Sequence, residues 1–463
     1  VRLSGTAWPG LIDSHIHLEG LTDHLLTLHL NGARSLGDTL RRVDRWAAGL
    51  SSDAWVLGAG WYNDAWPEPA FPSRLDLDRA AAGRPVMLRR KDGHSAWVSS
   101  AALKLAGIGR DTADPPGGVI DRDAGGRPTG ILRETAIHPV SRLMPEPKDA
   151  DLDRAMARAL NALARLGLTA VHSMDSSSGF ASLQRIHARG RLPIRVTYNL
   201  PLADLAHAER MGVRSGWGDE WLRIWGVKAF LDGSLGSRTA EMLDGSGTAR
   251  LAQPDLVDMI ERCVHAELNV CLHAIGDGAV RRALDALQPH RRAWSRWRPR
   301  IEHAQCVDPK DMRRFARIGV IASMQPIHAV ADRELADANW PDVVANAYAW
   351  RALEKAGARL AFGSDAPVET ADPLPGIDAA TAWRRRARWH PELSISKASA
   401  LRAYTLDAAF AAGVEHDTGS LVPGKLCDMT VVDGGRVVAT VVGGRVSWRR
   451  PASASRRSPA GAR

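Results

Sequence analysis

The segment "GLIDSHIHLEG" (residues 10–20) runs from apolar residues into Asp13, His15 and His17. Successive side chains of a strand alternate, so residues i and i+2 share a face about 6.5–7 Å apart along the backbone. Both imidazoles of His15 and His17 therefore converge on one point, as two nitrogen ligands of a metal ion would. Two satisfied core histidines would read the same way in isolation, so the decision rests on whether the rest of the chain supplies further ligands.

It does. Lys228 in "GVKAFLDGS", His273 in "CLHAIGD", His303 in "IEHAQ" and Asp365 in "FGSDAP" each close a short apolar run. Imidazole nitrogen and carboxylate oxygen suit Zn²⁺ and neighbouring divalent ions, and no soft thiolate belongs to the set. A lysine ammonium has three donors and no acceptor, so it cannot ligate. Lys228 is either a buried lysine paired with Asp232 or is converted by carbon dioxide into a carbamate that bridges two ions.

The elements that must position these groups follow from the pattern. From residue 150 onward short β-rich runs alternate with amphipathic or alanine-rich helical segments, the signature of βα units on a parallel sheet. Strands are expected at 167–174, 192–200, 221–231, 268–274, 298–304, 319–325 and 358–365, and the opening "GLIDSHIHL" makes eight. Eight in series predict an α/β fold, a (β/α)8 TIM-like barrel with its chemistry at the C-terminal ends of the strands.

Residues 9–20 then form the first barrel strand and 151–410 the rest of the barrel. The stretch 21–150 is too long for one crossover and reads as an insertion or lid subdomain. It has apolar strands of its own at 54–61 and 84–90, followed by the polar and aromatic "KDGHSAW" (91–97). Residues 411–449 are glycine-punctuated and valine-rich, the strands of a small β-domain. The Pro, Ser, Ala and Arg composition of 450–463 predicts a disordered tail.

Composition narrows the class. At 463 residues, with 45% hydrophobic and 24% charged residues, the chain affords a substantial globular core. The longest apolar runs, Ala54 to Trp61 and Ala408 to Val414, are far shorter than the roughly 20 residues of a membrane span, and the N-terminus lacks a signal-peptide pattern. Four cysteines without CxxC spacing read as reduced thiols of a cytoplasmic protein. The net charge of +9 is spread among mixed signs without a nucleic-acid-binding motif, so the partner expected is a small-molecule substrate rather than nucleic acid or membrane. A homo-oligomer is compatible with all of this.

The runs "PGLIDSHIHL", "KDGHSAWVSSAAL", "GVKAFLDGSLGSRTA", "HAIGDGAV", "IEHAQ", "GSDAPVETADPLPGI" and "GSLVPGKLCDMTVVD" closely resemble the metal-dependent amidohydrolase superfamily. The resemblance is to its amidohydrolase-3 branch, the YtcJ-like proteins related to N-substituted formamide deformylases, and it extends from residue 9 to about 448. One departure is Cys427, where the branch more often has alanine. The resemblance implies a barrel enzyme with one or two divalent ions that hydrolyses a non-peptide C–N bond. It also implies His15, His17, Lys228, His273, His303 and Asp365 as the ligand set, and leaves open whether Lys228 carries the carbamate.

In the mechanism expected from those ligands, two ions acidify a shared water, one polarises the carbonyl, and Asp365 acts as general base and then acid. The same centre would also serve an esterase, lactonase or phosphoesterase, and a non-catalytic ligand-binding barrel is the remaining alternative. Weaker candidates surround the centre. His94 in the insertion, Arg238 in the turn after Lys228, Trp97 with Trp61 and Trp66 as an aromatic wall, and His172 at the end of the second strand are candidates to meet substrate. Asp277 is the expected partner of a ligand ring, in preference to Glu302, because strand alternation turns Glu302 away from His303.

In the family that the chain resembles, an N-terminal segment pairs with the C-terminal strands. No such partner strands are evident before His15. The expectation is therefore a start upstream of Val1, with about 40–60 further residues of strand character and room for a targeting signal.

Overall fold

The computed structural model describes residues 5–451 apart from Gly93 and Arg296, so the tail from residue 452 onward lies outside the described residues. The chain divides into two units, Val1–Leu21 with Met156–Arg463, and Thr22–Ala155.

Eight parallel strands organise the first unit: Leu11–Ile16, Leu168–Ser173, Arg195–Pro201, Leu222–Phe230, Asn269–Ala274, Arg300–His303, Ile321–Met324 and Arg359–Phe362. They pair in chain order in one sheet. Each coincides with a run expected from the sequence, because a parallel strand covered on both faces must be apolar almost throughout. All six residues of Asn269–Ala274, for example, are buried. The covering helices carry matching stripes. Helix Pro309–Ile318 starts at Asp308, whose side chain accepts from Lys310 N, buries Met312, Phe315 and Ile318, and stops at Gly319 with φ 89°.

The first and eighth strands meet and close the barrel. Asp365 N donates to His15 O at 2.8 Å and His17 N to Ala366 O at 2.9 Å. In this seam the buried carboxylate of Asp13 accepts from His15 N and Ser364 N, both at 3.0 Å. A Cβ on Gly363 would lie 2.5 Å from His15 N, so only glycine lets the two strands come this close.

A four-stranded antiparallel sheet of Thr6–Pro9, Met429–Asp433, Arg436–Val442 and Arg445–Arg449 flanks the barrel. Its first strand corrects the expectation that N-terminal partners are missing: Thr6–Pro9 pairs with Met429–Val432. Arg195 ties the sheet to the barrel through a two-point contact with Asp428, at 2.8 and 3.1 Å. Thr430 and Thr440 donate to Gly167 O and Ala164 O, each at 2.6 Å.

The second unit is a six-stranded sheet in the order Leu28–His29, Val56–Trp61, Val86–Arg90, Ser95–Val98, Pro128–Glu134 and Gly118–Arg122. Trp61, Trp66 and Trp97 pack within its core. Trp97 is fully buried and donates its indole N–H to Ser73 O at 2.9 Å. An indole whose polar atom is satisfied by backbone fills a core, which corrects the reading of Trp97 as a substrate wall. Among the described residues no helix is long and apolar enough to cross a membrane.

The Asp13 carboxylate predicts a measurable cost. In Asp13→Ala two buried N–H groups lose their acceptor, at about 1–3 kcal/mol each. The denaturant midpoint should fall accordingly, and an unchanged midpoint would show that the seam closes without Asp13.

Candidate metal centre

The interior of this barrel departs from the aliphatic layers that usually fill one. Arg300 and Glu302, both inaccessible to solvent, face each other from one strand, with Arg300 Nε 2.8 Å from Glu302 Oε1 and Nη2 3.0 Å from Oε2. Arg300 also donates to His172 Nδ1 and Ser323 Oγ, each at 2.9 Å, and to the carbonyl of Ser14. The same Oε2 of Glu302 also accepts the Nδ1–H of His15 at 2.7 Å.

Three rings are fixed in this way. His303 donates Nδ1–H to Gln325 Oε1 at 2.8 Å. His273 donates Nε2–H to Gly233 O at 2.9 Å, and its Nδ1 is buried without a hydrogen-bond partner. A neutral imidazole with one nitrogen donating has a lone pair on the other. His15 and His303 thus offer Nε2, and His273 offers Nδ1. The rings of His15 and His273 lie 4.8 and 4.6 Å from that of His303.

Electrostatics holds these rings neutral. Burial, reinforced by Lys228, lowers His15 to about 4 and His273 to about 3. Burial, with His273 alongside, keeps His303 well below the usual imidazole range. At His17 burial also opposes the charge, yet the carboxylates of Asp175 and Asp365 outweigh it and raise the ring to about 9. Burial works against the Asp365 carboxylate, but its hydrogen bond with His17 and the surrounding imidazoles hold it well below the ordinary range. Where a proton is held this firmly, a divalent cation finds the same negative field, and its binding displaces the proton.

Asp365 is the meeting point. Its Oδ1 lies 3.2 Å from His17 Nε2 and 3.5 Å from His15 Nε2, and its Oδ2 lies 3.6 Å from His328 Nε2. Two groups therefore have the donor atoms for an ion: His15, His17 and Asp365, and His303, His328 and Asp365. The unpartnered Nδ1 of His273 fits such an occupant, since buried polar atoms are otherwise almost always paired. Lys228 Nζ sits 3.4 Å from His15 Nε2 and 4.8 Å from the centre of the Phe230 ring. Burial lowers its pKa. It makes no ion pair with Asp232, whose carboxylate accepts instead from the backbone of Glu241, Ile275 and Gly276.

The remaining expectations divide. Glu302, set aside by strand alternation, is the carboxylate that holds the His15 ring. His303 adopts φ 73° and Ala304 φ 43°, which breaks alternation at the strand end and lets both side chains reach the centre. Asp277, expected in that role, instead accepts from Leu243 N at 2.9 Å in the loop that follows the fourth strand. His172 is held by Arg300 beneath the ligands and lines a cavity with Arg195, Arg223 and Asp417, so the barrel interior takes it away from the rim. Arg238 is exposed, with φ 57°. His94 is exposed and pairs with Glu134 Oε1 at 2.9 Å within the second unit.

Two residues escaped the sequence reading. Asp175, just beyond the second strand, lies 3.6 Å from His17 Nδ1. His328 lies four residues past the end of the seventh strand, in "QPIHAV". A search of the loops beyond the strand ends for histidine and carboxylate would have found both.

Residues 5–447 match the model of a family described as "Amidohydrolase family". The chain is 32% identical to YtcJ of Bacillus subtilis (strain 168), over 94% of this chain and 85% of that protein. It is 27% identical to the N-substituted formamide deformylase of Arthrobacter pascens, over 92% and 83%. Among solved structures it is similar to an uncharacterized metal-dependent hydrolase from Pyrococcus furiosus, with a TM-score of 0.73 and 30% identity over 91% of this chain and 86% of that one.

Breaking the Glu302 contact should separate stability from ligand orientation. Glu302→Met strands the Arg300 charge in the core, which costs about 3–5 kcal/mol, and Arg300→Met in the same chain should restore part of that loss. Both variants lack the acceptor for His15 Nδ1–H and should bind zinc about 10–100-fold more weakly. Zinc titration and denaturant unfolding measure the two effects, and wild-type zinc affinity in either variant would show that Glu302 does not orient His15.

Proposed function

Because the chain belongs to the amidohydrolase family, we propose that it is a divalent-metal hydrolase of a non-peptide carbon–nitrogen bond, in an amide, formamide or cyclic amide. The observation that carries this reading is the convergence of neutral, acceptor-fixed imidazoles on the Asp365 carboxylate at the C-terminal ends of the strands. The donor set suits zinc. His15, His17 and Asp365 would hold one ion, and His273 and His303 would hold a second with Lys228 between them as a carbamate. When bound, such ions supply Lewis acidity at the scissile carbonyl and an acidified water at neutral pH.

The chain's own groups do the rest. Asp365 is ionised at neutral pH and accepts a proton from the attacking water, then delivers it to the leaving nitrogen. Glu302 and Gln325 keep the lone pairs of His15 and His303 in place through both steps. Lys228, its ammonium disfavoured by burial, is suited to attack carbon dioxide as a free amine and lose one proton to give the carbamate. Substrate enters a cavity of about 760 Å³ lined by His17, Lys228, Met174, Leu202, Phe230 and Arg250. That volume suits a small molecule, and its mostly apolar wall also carries the charged side chains of Glu19, Asp175 and Arg250.

The test is metal analysis followed by a screen of N-acyl, N-formyl and cyclic amides. Chelation should abolish hydrolysis and zinc should restore it. Asp365→Asn should lower kcat by about 10²–10⁴-fold. A metal-free protein that folds and hydrolyses none of these substrates would contradict the proposal. Labelled bicarbonate should give a carbamate carbon signal that is absent in Lys228→Ala, and its absence from the wild type would leave Lys228 a plain amine.

A further inference from the structure

His15, His303 and His273 each give one N–H to an oxygen and offer a lone pair at the other nitrogen. His328 is built the opposite way. It opens helix His328–Asn339, its ring stacks against that of His303 with centroids 6.2 Å apart and planes 16° from parallel, and its Nδ1 faces Gln305 Nε2 at 3.2 Å. An amide nitrogen only donates. Nδ1 must therefore accept, which leaves the ring proton on Nε2.

That Nε2 is buried and without a hydrogen-bond partner. Its nearest acidic oxygen, Asp365 Oδ2, is 3.6 Å away, outside hydrogen-bond range. A buried N–H without an acceptor is costly, and here it stands beside the carboxylate assigned to the proton transfers. Two glutamines thus impose opposite tautomers on two stacked rings. Gln325 gives His303 an acceptor and its own amide donates to Ser323 O at 3.3 Å, whereas Gln305 gives His328 a donor.

Resting on the hydrolase reading above, we infer that His328 is a catalytic residue that donates its Nε2–H to the oxygen of the scissile carbonyl as that oxygen becomes negative. The water oxygen bonds to the carbonyl carbon, the π pair moves onto the carbonyl oxygen, and the His328 N–H meets it there. The pair returns as the C–N bond breaks, and the proton taken by Asp365 goes to the leaving nitrogen. His328 keeps its own proton throughout, as a preorganised dipole aimed at developing charge. Gln305 is the positioning residue, since reversing its amide would place an oxygen on Nδ1 and turn Nε2 into a metal ligand.

The experiment uses the full chain loaded with zinc and an amide that the wild type hydrolyses. His328→Ala should lower kcat about 10²–10³-fold, with zinc content unchanged and KM within a few-fold. His328→Gln, which keeps an N–H donor, should recover part of the rate. Nitrogen-15 spectra of the wild type should show His328 protonated at Nε2, a readout independent of turnover and of any variant's folding. Loss of zinc in a folded His328→Ala protein, a zinc-bound Nε2 in the spectra, or an unchanged kcat would each overturn the inference. If the wild type binds zinc but cleaves no amide, or binds no zinc, the hydrolase reading fails first and this inference with it.

Discussion

The proton on His15 Nδ1 has one place to go, the Glu302 carboxylate at 2.7 Å, and the rest of the centre depends on that bond. It commits the His15 lone pair to Nε2, the side of the ring that faces Lys228 and Asp365. A carboxylate can stand in a dry barrel interior only with a counter-charge, and Arg300 provides it from two residues away on the same strand. Replacing such a pair with packed apolar groups is often neutral or stabilising. The interior of this barrel therefore holds a charged pair for what the pair positions, with His172, Ser323 and the Ser14 carbonyl taking the remaining guanidinium protons.

Barrel closure and ligand geometry are joined at the same seam. Asp13 and Gly363 bring the first and eighth strands together, and the backbone of His15 and His17 bonds to the segment that carries Asp365. His303 and Asp365 both sit at positive φ, 73° and 59°. Non-glycine residues held there store about 1–3 kcal/mol each, a strain that characteristically collects at functional sites. The strained backbone turns both side chains toward one point, where regular strands would have pointed one of them away.

Much of this was legible in the sequence. Eight apolar runs mark the barrel strands, and the residues at their ends include His15, His17, Lys228, His273, His303 and Asp365, which the structure brings close together, because a parallel strand and its terminus are local patterns. Glu302 was misjudged since strand alternation holds only while φ stays extended, and a positive φ at His303 leaves no mark in the letters. His328 and Asp175 lie beyond the strand ends, where loop geometry decides what returns to the rim. Trp97 shows the converse failure, an aromatic residue in a polar stretch that reads as a binding wall and packs as core. The strand Thr6–Pro9 is too short to announce itself without its partner, Met429–Val432.

The central claim is that these acceptor-fixed imidazoles and Asp365 form a single metal centre. Anomalous diffraction from a zinc-soaked crystal, collected on both sides of the zinc absorption edge, tests it most directly. The account predicts a peak within bonding distance of His15 Nε2, His17 and Asp365, and Glu302 still hydrogen-bonded to His15 Nδ1. Zinc bound elsewhere on the chain, with the space between His15 and Asp365 empty of metal, would contradict it.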